Sequence, residues 1–347
     1  MGEITCPVPL RAGGRILLGH GGGGRLTRDL VERIFLPAFQ NDALAALHDS
    51  AVLERPSGRL AFTTDSFVVH PLFFPGGDVG KLAVTGTVND LAMSGARPLY
   101  LSLGFILEEG LAVDDLTRVV ASVQEAARDA SVAVVAGDTK VVERGKGDGI
   151  FITSSGVGVV EAKRPVAPSE VRAGDAVLVS GPVGQHGVAV MAVRDGLAFA
   201  SPILSDCASV VGPVLALLAS GLELHCLRDP TRGGVATVLN EIAVQARCEI
   251  GVHESAIPVG EDVAGACEVL GLDPLYVACE GRFLAFVAAN DADRALEALR
   301  ARPETAHAAR IGTVRQGGTP GLVVLKTRAG GERVLDLLSG EQLPRIC

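Results

Sequence analysis

The chain has no tryptophan and only two tyrosines, and aromatic residues fill 4% of its 347 positions. Aliphatic side chains must therefore build its cores, and with 48% hydrophobic residues this suits helices packed on sheets. Positive charge is also short, since 31 lysines and arginines face 40 aspartates and glutamates for a formal net charge of -9. Without a basic face, nucleic acid is not an expected partner. No apolar run is long enough to cross a bilayer, and no basic segment leads into one at the N-terminus. No membrane association is expected, and the chain reads as a reduced, cytoplasmic protein. Its seven cysteines, Cys6, Cys207, Cys226, Cys248, Cys267, Cys279 and Cys347, include no CxxC pair and no close Cys/His cluster, which argues against a zinc site and a disulfide framework.

What the chain does have is a cysteine at position 347, in Pro344-Arg345-Ile346-Cys347. The preceding stretch contains Gly340 and Pro344, lacks helical periodicity, and could extend at roughly 3.3 Å per residue. Such an arm suits a carrier of an acyl-like group; the alternative is a frayed tail.

A chain of this length accommodates two domains. Apolar runs at 60–64, 99–107, 132–136 and 150–160 read as strands, and 80–95 and 113–130 as helices. Lys163, Arg164, Pro165, Pro168 and Glu170 mark a linker. The expected division is a glycine-rich leader at 1–25, an N-terminal domain at 26–160, a linker at 161–174, a C-terminal domain at 175–336 and a mobile tail at 337–347.

Asp65, Asp90 and Asp138 each follow an apolar strand or open a turn. Each is either a local cap or, if the three meet, a ligand for Mg²⁺ with phosphate. Gly19-His20-Gly21-Gly22-Gly23-Gly24-Arg25 offers unhindered backbone N–H groups, an imidazole and a guanidinium that could fold over a polyphosphate, although it lacks the lysine and hydroxyl residue that close a P-loop. Lys81 and Lys140 are cationic candidates. Asp229 or Thr231 is a candidate helix cap in Asp229-Pro230-Thr231-Arg232-Gly233-Gly234, and His186 reads as a turn residue. Glu280, in Cys279-Glu280-Gly281-Arg282 between apolar runs, is either a base of raised pKa or an arginine partner.

One long run goes from Asp65-Ser66-Phe67 to Gly76-Gly77-Asp78-Val79-Gly80-Lys81 and on into Gly86-Thr87-Val88-Asn89-Asp90. Together with Ala136-Gly137-Asp138-Thr139-Lys140, the Asp229 to Gly234 motif and the Cys347 tail, it resembles the PurM-like (AIR synthase-related) ATP-binding superfamily, and within it the HypE family of hydrogenase-maturation proteins. The resemblance implies a two-domain α+β subunit with a C-terminal α/β domain and a flexible tail. The N-terminal sheets of a homodimer are expected to close a β-barrel. It also implies ATP-dependent dehydration of a carbamoyl group on Cys347 to a thiocyanate, with HypF as carbamoyl donor and a HypC and HypD scaffold receiving the cyano group. Asp65, Asp90 and Asp138 would hold Mg²⁺-ATP, with Asn89, Thr139, Lys81, His20, Gly22, Gly23 and Arg25 around the nucleotide. Glu280 would be the base, and Lys140 would orient the carbamoyl group or neutralise its developing charge. Relatives without a use for Cys347, such as thiamine-monophosphate kinase, are less fitting. Selenophosphate synthetase needs a lysine near its N-terminal cysteine that Cys6-Pro7-Val8-Pro9-Leu10 lacks. A nucleotide-binding scaffold without catalysis is the remaining alternative.

Overall fold

The structure, a computed structural model, describes residues 14–47, 50–54, 56–197, 202–337 and 346–347. The expected leader lies outside these residues up to position 13, and the expected tail lies outside them at 338–345. Short helices α1 (Arg25–Leu30), α2 (Leu36–Ala38) and α3 (Asp42–Ala45) come first. The first sheet contains β1 (Leu60–Phe67), β4 (Ala96–Glu108), β5 (Ala133–Val142) and β6 (Ile150–Val160), and a small hairpin is formed by β2 (Phe73–Phe74) and β3 (Gly77–Asp78). Helices α4 (Val79–Met93) and α5 (Val113–Asp129) cover the inner face of that sheet. Its order is β1-β6-β4-β5, with β4 and β5 parallel and the other pairs antiparallel.

The second sheet is seven-stranded in the order β13-β12-β9-β11-β7-β10-β8. Its strands are β7 (Ala176–Val179), β8 (Leu224–Arg228), β9 (Glu249–His253), β10 (Leu284–Val287), β11 (Ala309–Arg315), β12 (Leu322–Lys326) and β13 (Glu332–Val334). Helices α6 (Gln185–Arg194), α7 (Val211–Ala219), α8 (Gly234–Ala246), α9 (Glu261–Leu270) and α10 (Ala292–Arg300) accompany it. Both β7 and β10 are buried at every position, which is why they read as unbroken apolar runs rather than alternating ones. Among the described residues no helix is long and apolar enough to cross a membrane.

The two-domain α+β architecture is as expected, but the barrel is not. No sheet closes on itself among the described residues, and β1 and β5 stand as the two edges of the first sheet. The inner face of that sheet packs against α4 and α5, and a face filled by two helices cannot also be the inside of a small barrel.

Helix α4 joins the two halves. It starts where Asp78, as N-cap, accepts from the backbone N–H groups of Gly80 and Lys81 at 2.8 and 3.0 Å. A β-carbon on Gly80 would lie 2.5 Å from the Val119 carbonyl, so glycine lets α4 and α5 come together. Most of α4 is buried, including the polar Asn89. From there the Asn89 amide reaches the second domain: Nδ2 donates to Ala208 O (3.0 Å) and Glu280 O (3.3 Å), and Oδ1 accepts from Val210 N (2.8 Å). Truncation would orphan three buried backbone groups. Asn89→Ala is therefore expected to lower the unfolding free energy by about 3 kcal/mol in urea titrations; a loss under about 0.5 kcal/mol would show that the amide is not a clamp.

Candidate active site

A cleft of about 770 Å³ opens at the domain junction, lined by Thr63, Asp65, Asp90, Asp229, Thr231 and Arg232 among others. Two of the three expected aspartates meet here, and neither is a cap. Asp65 lies within β1 and faces α4, where its Oδ2 accepts from Thr87 Oγ1 at 3.1 Å. Asp90 lies within α4 and accepts from Thr63 Oγ1 at 2.9 Å. Burial and then the Asp90 charge push Asp65 up to about 6. Burial raises Asp90 as well. Asp229, at the end of β8, is pushed up to about 7 by burial and by Asp90. It does not cap α8: the N-cap of that helix is Gly233, in the left-handed region at φ 77°, with no side-chain cap.

Behind this cleft Glu280 is 3% exposed. Its pKa is raised well above the usual carboxylate range by burial, then by Asp229 and Asp206, with Arg232 opposing. The Cys347 thiol lies near the Glu280 carboxyl, and burial together with that carboxyl's charge pushes the thiol up to about 12. Seated in this way, the sulfur is a protonated thiol next to a carboxyl group whose affinity for protons is raised. Ile346, the residue before it, is buried in the main core.

The remaining candidates lie elsewhere. Lys81 is in the first turn of α4, nine residues from Asp90 and so about 13 Å along the helix, where its Nζ donates to Gly76 O at 3.0 Å. Asp138 and Lys140 form an exposed ion pair at 2.8 Å within β5, beside Thr139. Register separates them from Asp65. Asp65 aligns with Ser154, Leu103 and Gly137 across the sheet, whereas Asp138 aligns with Gly104, Thr153 and Ser66 on the opposite face. Three strand spacings, about 14 Å, also lie between β1 and β5. Gly21 packs on Val141, which brings the loop carrying His20, Gly22, Gly23 and Arg25 to the β5 edge. There His20 is buried with Nε2 unpartnered, Gly23 N donates to Thr27 Oγ1 at 2.9 Å, and Arg25 is exposed.

Two parts of the site escape sequence reasoning. Asp206 is fully enclosed, accepts from Glu280 N at 3.1 Å, and has Arg282 Nε 3.6 Å away. His186 is not in a turn but in the first turn of α6, fully buried, with Nε2 2.7 Å from Ile346 O. Nothing local marks either residue; the only hint for His186 is a polar ring inside an otherwise apolar helix.

The donor set bears on a metal. Among the described residues no three His, Cys, Asp or Glu side chains form a metal cluster. Asp65 and Asp90, with mutual repulsion that a cation would relieve, fit Mg²⁺ whose remaining positions go to phosphate oxygens and water. Asp138 does not belong to that pair within one chain.

Residues 47–160 match the AIR synthase related protein, N-terminal domain, and residues 172–325 match the AIR synthase related protein, C-terminal domain. The chain is 52% identical over 334 residues to the carbamoyl dehydratase HypE of Azotobacter vinelandii, covering 96% of this chain and 98% of that one. The crystal structure of a hydrogenase maturation protein HypE in complex with ATP superposes with a TM-score of 0.92 at 50% identity, over 95% of this chain and 99% of the other. A chain from a HypE-HypF complex does so with a TM-score of 0.78 at 46% identity, over 89% and 99%.

The raised carboxylate at Asp229 has a measurable consequence. Its folded-state pKa of about 7 against 3.8 gives a contribution to stability that is present below pH 3.8 and is lost as pH rises through about 7. Asp229→Asn, which does not titrate, should gain about 4 kcal/mol on the wild type between about pH 4 and about pH 7 and hold that gain above it. Urea unfolding across that range checks this, and a lead independent of pH would refute it.

Proposed function

The chain belongs to the AIR synthase related family and, within it, to the HypE carbamoyl dehydratases, and from this we infer that it uses ATP to dehydrate a carbamoyl group on Cys347 to a thiocyanate, supplying cyanide ligands for hydrogenase maturation. The observation that carries the reading is Cys347 seated on the buried carboxyl of Glu280 beside the acidic cleft.

An amide oxygen is a poor leaving group, and ATP converts its departure into loss of phosphate. In the first step the carbamoyl oxygen attacks the γ-phosphorus, the bond to ADP breaks, and the nitrogen gives up one proton. In the second the C–O bond breaks, the oxygen leaves with phosphate, the nitrogen gives up its other proton, and a carbon–nitrogen triple bond forms. The sum is loss of one water from the carbamoyl group and conversion of ATP to ADP and phosphate, without redox change. Glu280, whose affinity for protons is raised, is our candidate for the base. Burial of the site keeps water from the activated group. Mg²⁺ held by Asp65 and Asp90 would supply charge neutralisation at the transferring phosphate.

A seated thiol pushed up to about 12 is a poor nucleophile, so carbamoyl acceptance belongs to an unseated tail. We assign HypF as the donor, in keeping with the solved HypE-HypF complex. A HypC and HypD scaffold is the assigned acceptor of the cyano group, and the cytoplasm the site of the reaction. Asp138, Thr139, Lys140 and the His20 to Arg25 loop are assigned to the nucleotide or carbamoyl group of a second copy. The support is their separation from Asp65 within one chain, with Leu60 and Phe62 exposed by 57% and 70% on the outer side of β1.

Two experiments test this. With carbamoyl phosphate, HypF and Mg²⁺-ATP, the C-terminal peptide is expected to gain a carbamoyl group and then lose one water only when ATP is present. Glu280→Gln should bind ATP and accept the carbamoyl group but lose at least about a hundredfold in the water-loss step. Turnover at the wild-type rate would remove Glu280 from the mechanism, and ATP binding without water loss in the wild type would favour the scaffold alternative. Second, Lys140→Ala and Glu280→Gln, each inactive alone, should restore about one quarter of wild-type activity when subunits are mixed, because half the dimers then contain one intact composite site. No restoration on confirmed exchange would place Lys140 outside a shared site.

A further inference from the structure

We propose that His186 is the residue that seats the Cys347 arm: it grips the backbone one residue before the sulfur and so sets the position of the thiol against Glu280. A carbonyl oxygen can only accept, so the 2.7 Å contact with Ile346 O requires that His186 Nε2 carry the proton. Nδ1 is then an acceptor, and it lies 2.8 Å from Ser205 Oγ, whose hydroxyl donates to it. Ser205 Oγ accepts in turn from Cys207 N at 3.0 Å. Every partner in this relay has one compatible direction, so the tautomer is fixed by the fold. Burial favours the neutral ring, pushing its pKa down to about 4.

The grip is also braced from the other domain. Phe74 meets the imidazole edge-on, with ring centroids 5.4 Å apart and planes at 85°. Ser205 N donates to Pro75 O at 2.8 Å, and Gly76, in the left-handed region at φ 91°, lies so close that a β-carbon there would be 2.7 Å from Ser205 N. The β2–β3 hairpin of the first domain thus holds Ser205, Ser205 orients His186, and His186 holds the arm. Ile346 brings apolar burial, which is non-directional and would tolerate sliding; the hydrogen bond fixes how far the arm enters. His186 is a positioning residue, since its partners are Ser205 and the Ile346 carbonyl rather than reacting atoms.

The effect on turnover rests on the dehydratase reading, but the seating does not, and the test separates them. Cys347 in the intact protein is alkylated with iodoacetamide without ATP or donor and followed by mass of the C-terminal peptide. His186→Leu is expected to speed alkylation about tenfold, because the Ile346 carbonyl loses its buried partner and the unseated arm is favoured. His186→Gln, whose amide N–H can reach toward the Nε2 position, should recover part of the protection. Ser205→Ala, which frees the ring without removing it, should speed alkylation about threefold and serves if His186→Leu does not fold. On carbamoylated protein, His186→Leu should slow single-turnover loss of water without slowing carbamoyl acceptance. Alkylation at the wild-type rate in folded His186→Leu, or in Ser205→Ala when His186→Leu does not fold, would overturn the proposal. Altered alkylation without any water loss in the wild type would instead sink the dehydratase reading and leave the seat standing.

Discussion

Negative charge gathered where little positive charge can balance it governs the centre of this molecule. Asp65, Asp90, Asp229, Asp206 and Glu280 converge on the domain junction, where Arg228, Arg232 and Arg282 supply partial compensation. Each carboxylate raises the proton affinity of its neighbours, so the cluster weakens the empty fold and gains most from a cation or a proton. This is strain put to use: the raised proton affinity of Glu280 exists because burial and like charge both disfavour its anion.

The fold tolerates that charge because apolar and amide contacts bind the two domains around it. Helix α4 presents Asp90 to the cleft and Asn89 to the second domain from adjacent positions, so the turn that carries a cleft-facing carboxylate also anchors the loop holding Asp206. Close approach at Gly80 and Gly76 brings α5 and the Ser205 loop against the same helix and hairpin. Gly281 packs against Asp206 O with no space for a side chain, which presses the two halves of the buried acidic site together. The seat for Cys347 is thus a product of domain packing rather than of one loop.

Much of the framework was legible. Strand β6 spans Ile150–Val160 as its alternation indicates, and α4 and α5 fall within a residue or two of their apolar periodicity. The far end of β5 was not: the strand continues through Asp138 to Val142, because Thr139, Val141 and Val142 favour extended backbone while polar side chains alternate outward. That extension turns a supposed turn aspartate into a residue on the outer face. Asp206 and His186 escaped because a single polar residue in an apolar context has no local signature; what makes each important is a partner far along the chain.

By itself the sequence determined the succession of strands and helices, the aliphatic cores, and the chemical inventory of carboxylates, glycine loop and Cys347 thiol. These depend on composition and on neighbours a few residues apart, where backbone sterics and side-chain periodicity act. Only the tertiary structure decided which members of the inventory share a space. The pleat put Asp65 and Asp138 on opposite faces of one sheet, two helices filled the face a barrel would have enclosed, and His186 met Ile346 across 160 positions of chain. Such pairings follow from how whole elements pack, and packing is a property of the assembled surfaces, not of any one segment.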